Sequence, residues 1–274
     1  MKNENRKNIL SLDMFDYDQF LLDAKKQESR SVAWLDNYKP IDDYQFPTHK
    51  LSHEGIEYYN TSDIKVNELK VESDLFKVIN SRKSETMNYL ISKWSDSELF
   101  FLLERSIGLR GTVRRLKGNL NQEVYFRKYP SGGSMYPVTA IIYINRVDNI
   151  NKGFYEYYPI EQKLVKISEP LTDQQYEYLF PMSKYKFDRE NCDIKKSAFS
   201  IFLVSNYKFS FAKYGTLAYK LSILESGHMA QNLLLVATAL YKKNLPVCGL
   251  FADVIKNHID MDNKNFIHYG IIFG

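Results

Sequence analysis

Apolar residues change their spacing near residue 75. Upstream, the chain is rich in Asp, Lys, Asn and Tyr, is broken by Pro40 and Pro47, and shows no sustained helical or strand period beyond the short patch Gly55-Ile-Glu-Tyr-Tyr59. Trp34, Tyr38, Tyr44 and Phe46 nonetheless carry enough apolar area to order against a partner surface, so residues 1–74 read as an N-terminal arm or small subdomain. Downstream, residues 75–274 read as the main domain. Leu75-Phe-Lys-Val-Ile-Asn80 predicts a helix that ends at Ser81-Arg-Lys-Ser84, and Ser95-Asp-Ser-Glu98 ahead of Leu99-Phe-Phe-Leu-Leu103 is a capping-box signature for a second. The β-branched run Val138-Thr-Ala-Ile-Ile-Tyr-Ile144 and the run Ser197-Ala-Phe-Ser-Ile-Phe-Leu-Val204 predict buried strands. Residues 153–159 and 163–167 predict an antiparallel hairpin, and residues 266–273 a final strand. Leu221 to Tyr241 is apolar on nearly every side and predicts a central helix buried on most faces.

Composition narrows the classes. With 44% hydrophobic residues in 274, the chain can build one full core, and length alone allows two smaller domains. Thirty-seven Lys and Arg against 33 Asp and Glu leave a net charge of +4 spread along the chain, which argues for no nucleic-acid partner. The one basic concentration, Arg105 to Gly118, reads as a mobile, solvated loop, with an anionic peptide as the alternative use. The amino terminus shows no apolar signal region and no stretch reaches a membrane-spanning length, so a cytoplasmic protein without a membrane partner is expected. Cys192 and Cys248 are far apart and lack a second Cys at metal or redox spacing, so both are expected as reduced structural thiols and no metal site is expected.

Chemistry concentrates in two segments, Arg127-Lys-Tyr-Pro-Ser-Gly-Gly-Ser-Met-Tyr-Pro137 and the stretch from Lys213-Tyr214 to Gln231-Asn232. Pro130 fixes φ while Gly132 and Gly133 carry no Cβ, so this backbone can approach a flat ligand and turn its polar groups towards it. Taken alone, Pro-Ser-Gly-Gly is also compatible with an ordinary turn entering a strand. Lys213-Tyr214 is likewise compatible with a plain connection that carries a surface Lys and a core Tyr.

Together the two segments resemble the SagB-type dehydrogenases, the microcin- and thiopeptide-type azoline oxidases of the FMN-dependent nitroreductase-like superfamily. The matching residues are Arg127, Pro130, Ser131, Gly132, Gly133, Tyr136 and Pro137, then Lys213, Tyr214, Tyr219, Glu225, Gly227, Gln231 and Asn232. Lys220 stands where that family usually has Arg, which keeps the charge and loses the planar fork. The resemblance covers roughly residues 79–274. It implies an α+β fold, a mostly antiparallel sheet wrapped by helices, preceded here by the irregular arm.

The resemblance also implies FMN as cofactor. Ser131, Gly132 and Gly133 would contact the isoalloxazine edge, Arg127 and Pro130 of the same stretch would also bind the cofactor, and Gln231 or Asn232 would bond a flavin carbonyl or hold the loop. Arg82, Lys83 and Ser84 match an Arg-Arg-Ser stretch that contacts the ribityl phosphate, although Thr86 replaces the Arg that often follows. Gly249 is expected to supply a backbone contact to the flavin face, and Glu225 to order Lys220 or Tyr219. His228 is left outside the catalytic set. The implied reaction oxidises thiazolines or oxazolines to azoles in a ribosomally made peptide, such as a thiopeptide, with Lys213 and Tyr214 removing the ring proton from a dry pocket. Implied partners are an azoline-containing precursor peptide, a cyclodehydratase complex and a second copy in a homodimer. An NAD(P)H-dependent nitro or quinone reductase and a flavin-free scaffold subunit are the alternatives.

Overall fold

The computed structural model describes residues 21–22, 74–85, 93–115, 123–180, 194–262 and 264–274. The proposed arm, residues 1–74, therefore lies almost wholly outside the described residues, as do Cys192 and the end of the basic stretch. Six antiparallel strands form the central sheet in the order β5-β4-β3-β6-β8-β7. They are β3 (Val138–Ile144), β4 (Gly153–Tyr158), β5 (Lys163–Ser168), β6 (Phe199–Asn206), β7 (Asn244–Val247) and β8 (Asn265–Phe273). A separate antiparallel hairpin pairs β1 (Leu109–Arg115) with β2 (Glu123–Arg127).

Helices cover both faces of the sheet, which explains why β3 and β6 read as nearly unbroken apolar runs. Helices α2 (Asp96–Ile107) and α5 (Leu217–Ala239) pack on one face, where Ala140, Ile142 and Ile144 of β3 meet Ile201, Ile271, Met229 and Leu233. The alternate residues Ile141 and Tyr143 point to the other face, against Phe154, Phe202, Tyr176 of α3 (Asp173–Tyr178) and Ile255 of α6 (Ala252–His258). The expected α+β arrangement is the one observed.

Local chemistry accounts for the helix positions. The capping box at α2 forms as read: the Ser95 hydroxyl accepts from the Glu98 N–H at 3.2 Å, and the Ser95 N–H donates to the Glu98 carboxylate at 3.0 Å. Its buried residues, Leu99, Leu102, Leu103, Ser106 and Ile107, form a single stripe against α5. Helix α5 starts earlier than expected, and it buries one face rather than most of its circumference: Ser222, Glu225, Ser226, Met229, Leu233 and Ala237 are inside, whereas Ile223 and Leu224 are exposed.

Two readings change. The basic stretch is largely built rather than a loop: Arg105–Ile107 finish α2, and Leu109–Arg115 form β1, with Gly111 at φ +84 inside the irregularity between Leu109 and Val113. Strand β7 was not anticipated, because Pro246 lies within it; the strand is at the sheet edge, where a residue without an N–H is tolerated. Among the described residues no helix is long and apolar enough to cross a membrane.

Candidate functional site

The loop from Arg127 to Pro137 joins β2 to β3 and lies on α5. Its conformation is unusual for side-chain-bearing residues: Gly133, Ser134 and Tyr136 all have positive φ, at 60, 56 and 49°. Such φ values cost about 1–3 kcal/mol for a non-glycine residue and persist only where neighbours over-determine them. Here they do. The Tyr136 N–H donates to the Ser131 hydroxyl at 2.9 Å, and the Tyr136 hydroxyl accepts from the Arg127 N–H at 3.1 Å, so the loop is tied at both ends to its own tyrosine.

Glu225 fastens this loop to α5. It is only 1% exposed, accepts a short hydrogen bond from the Ser131 hydroxyl, and accepts from the Val138 N–H at 3.3 Å. Burial pushes its carboxyl up to about 7, against the opposing pull of those two donors and of Arg127. The expectation that Glu225 orders Lys220 or Tyr219 is thereby corrected. A carboxylate this buried needs the donors that the loop supplies.

Lys213 and Tyr214 close the short helix α4 (Lys208–Tyr214) just before α5. The Lys213 Nζ lies 5.1 Å from the centre of the Tyr214 ring. Gly133 is packed against this pair so closely that a Cβ there would run into the Tyr214 hydroxyl and stand 2.8 Å from Lys213 Nζ. A Cβ on Gly132 would stand 3.0 Å from the Leu221 side chain of α5. The two motif segments, distant in sequence, meet at this point, and the absence of a Cβ lets the loop approach both α4 and α5 closely. Lys213 is exposed, so the dry pocket expected around it is not supplied by the described residues of one chain.

The remaining site candidates fall into two groups. Asn232 donates to the Ser106 carbonyl at 3.0 Å and the Lys128 carbonyl at 3.2 Å, and thereby pins α2 and the start of the loop to α5. Gln231 and Pro130 are exposed, and His228 lies with Nδ1 3.3 Å from the Pro130 carbonyl oxygen. At the end of α1 (Asp74–Ser81), Arg82 is half-buried, Ser84 is exposed, and Lys83 pairs with Glu85 at 3.0 Å. Burial raises the Tyr269 hydroxyl of β8, with Arg82 opposing that shift. The Arg127 guanidinium lies over the Tyr136 ring at 5.5 Å, and one of its nitrogens is buried with no hydrogen-bond partner among the described residues.

A second polar cluster escaped the sequence reading. His268 Nε2 lies within hydrogen-bond reach of the hydroxyls of Ser205 (2.8 Å), Tyr207 (2.8 Å) and Ser222 (3.2 Å), joining β8, β6, the start of α4 and α5. No signal marks it, because its members are isolated polar residues on four different elements. Burial, aided by Lys256, holds His268 down to about 4.

Comparison with known proteins bears on the fold. MJ1384 of Methanocaldococcus jannaschii, a protein assigned to the nitroreductases by name, is 25% identical over 188 residues, covering 69% of this chain and 82% of its own. The microcin B17-processing protein McbC of Escherichia coli is 25% identical over 142 residues, half of each chain. Among solved structures, a chain of the E. coli microcin synthetase McbBCD complex, with truncated pro-MccB17 bound, superposes with a TM-score of 0.68 at 20% identity, covering 93% of this chain and 92% of that one. A nitroreductase-like protein from Anabaena variabilis superposes with a TM-score of 0.58 at 22% identity, over 73% of this chain and 38% of its own. At these identities the superpositions show the fold alone. The nitroreductase family model matches residues 102–274, more than half of the chain, and the protein belongs to the nitroreductase family of oxidoreductases.

Proposed function

We propose that the protein is an FMN-dependent dehydrogenase that oxidises thiazolines or oxazolines of a ribosomally made peptide, a thiopeptide or another azole-containing product, to thiazoles or oxazoles. The observation that carries this reading is the contact between Gly133 and the Lys213–Tyr214 pair, which sets a side-chain-poor backbone beside an amine and a phenol. Likeness to McbC, and the fold shared with a microcin synthetase chain seen with a pro-peptide bound, support a peptide substrate and a cyclodehydratase partner.

The residues fit the cofactor. Gly132 and Gly133 leave the loop open to a flat ring, with Pro130 and Ser131 fixing its course, and Arg82, with Lys83 and Ser84, offers guanidinium, amine and hydroxyl donors suited to a phosphate. Gly249 adds backbone without a Cβ, and the exposed Gln231 adds an amide. FMN, when bound, takes up the two electrons as hydride. Lys213 or Tyr214 removes the remaining ring proton, and the substrate together with a second copy of the chain excludes water from the exposed lysine. Asn232 and Glu225 hold the loop in place.

The test is the visible spectrum of the purified protein, followed by anaerobic addition of an azoline-bearing peptide. Bleaching of the flavin band, with a product lighter by two hydrogens, is expected; Lys213→Ala and Tyr214→Phe are expected to keep the flavin and to lose azole formation. The family assignment also favours a second reading, an NAD(P)H-dependent reductase. It predicts bleaching by NAD(P)H alone and indifference to both substitutions. A colourless protein that releases no flavin on denaturation would leave only the scaffold role.

A further inference from the structure

A cavity of about 190 Å3 opens beside the loop and is lined by Arg127, Tyr129, Tyr136, Glu156, Tyr157 and Met229, with others. None of Pro130–Met135, Lys213, Tyr214 or Leu221 lines it, so it is separate from the surface where the loop meets the dyad. A single buried water needs roughly 10–15 Å3 of such space, so this volume accommodates a small organic group rather than a bridging water.

Its polar lining sets one guanidinium, Arg127, among phenol hydroxyls that both donate and accept. The Arg127 guanidinium is held over the Tyr136 ring, and its Nη1 is buried without an acceptor among the described residues. Tyr129 and Tyr157 are 5% and 3% exposed; burial pushes the Tyr129 hydroxyl well above the phenol range and that of Tyr157 up to about 12, so both stay protonated donors. The acidic side chain in the wall, Glu156, accepts from the Thr139 hydroxyl at 3.3 Å and the Tyr158 hydroxyl at 2.7 Å, which direct its oxygens to the rim formed by those two residues.

We infer that the cavity is a binding site for a carboxylate with an apolar or aromatic body, its oxygens taken by Arg127 and its body by Tyr129, Tyr136, Tyr157 and Met229. Arg127 pairs well with a planar carboxylate, and three aromatic walls favour a flat guest over a hydrated ion. The carboxylate comes either from an acidic side chain of a peptide or from a free small acid. Of the residues expected to hold FMN, Arg127 alone lines the cavity, and the benzoate test is read without reference to flavin content.

Calorimetric titration of the full chain with benzoate, and with its neutral isostere benzamide, tests it. Saturable binding of benzoate but not benzamide is expected. Arg127→Met should weaken benzoate roughly tenfold to a hundredfold, the range of a lost hydrogen bond to a charged group, and Tyr157→Phe less. Displacement of benzoate by an N-acetyl Gly-Glu-Gly amide, but not by its Gly-Gln-Gly counterpart, would assign the carboxylate to a peptide; without displacement it belongs to a free acid. Equal binding of benzoate and benzamide, no saturable binding at all, or tighter binding of inorganic phosphate would overturn the inference. The benzoate–benzamide pair is read on the unaltered chain, so the test stands even if Arg127→Met fails to fold.

Discussion

Two buried titratable residues pull the pH dependence of stability in opposite directions. Glu225 is raised from 4.5 to about 7, so between those values the folded chain keeps a proton that the unfolded chain releases. Its contribution is full below 4.5 and is lost as pH rises through 7. His268 is lowered from 6.5 to about 4, so in that window the unfolded chain binds a proton that the folded chain refuses. Its contribution is present above 6.5 and lost as pH falls through 4. Each shift corresponds to something on the order of 3 kcal/mol at full extent, so the two slopes largely cancel between pH 4.5 and 6.5. Glu225→Gln should therefore melt at temperatures that climb from pH 4 to 6.5, and His268→Gln at temperatures that fall from pH 4.5 to 7, with the unaltered protein flatter than either. Three parallel melting curves would refute this account. Gly133→Ala is a sharper perturbation, since the new methyl meets positive φ and the Tyr214 hydroxyl together. It is expected to cost about 1–3 kcal/mol in urea unfolding and to lower flavin retention. Sequence alone revealed that residue 133 does without a Cβ; which side chains a Cβ would strike depends on α4 folding back on the loop, and no local pattern encodes that.

Elements were legible in proportion to how local their causes are. The α2 capping box needs only Ser95 and Glu98, and it was readable to the residue. Ser95→Ala should cost about 1 kcal/mol, measured as a shift of the urea midpoint without change in slope; an unchanged midpoint would mean that tertiary packing of Leu99, Leu102 and Leu103 alone fixes the helix start. Strands β3 and β6 were equally readable, because burial on both faces writes an unbroken apolar run. By contrast, β1 was hidden by its arginines, since a hairpin outside the main sheet has no need of a continuous apolar face, and β7 was hidden by Pro246, which only its edge position excuses. The apolar character of α5 was plain in the sequence, but which side is covered was not: a helix rich in Leu on all sides does not reveal that Ile223 and Leu224 stay outside.

That uncovered side bears on the assembly of the whole molecule. Helix α1 buries none of its residues, and Phe76 and Ile79 are 46% and 45% exposed on one of its faces. On α5, with which α1 is in contact, Leu217, Ile223 and Leu224 are 49%, 42% and 50% exposed. An eight-residue helix is too short to be stable in water without packing, and several large apolar side chains grouped on two adjoining helices mark an interaction surface more than scattered exposure does. The Lys213–Tyr214 pair adjoins the start of the same α5, and its exposed lysine asks for the same cover. A second copy related by a two-fold axis would supply both at once, because an isologous interface repeats each contact. We therefore expect light scattering to give the mass of a dimer, and Leu224→Glu combined with Phe76→Glu to give that of a single chain. Flavin content separates two forms of this arrangement: if the partner completes the site, the monomeric variant is colourless as well, whereas a yellow monomer would confine the cofactor to one chain. An unaltered protein with the mass of one chain would refute the dimer.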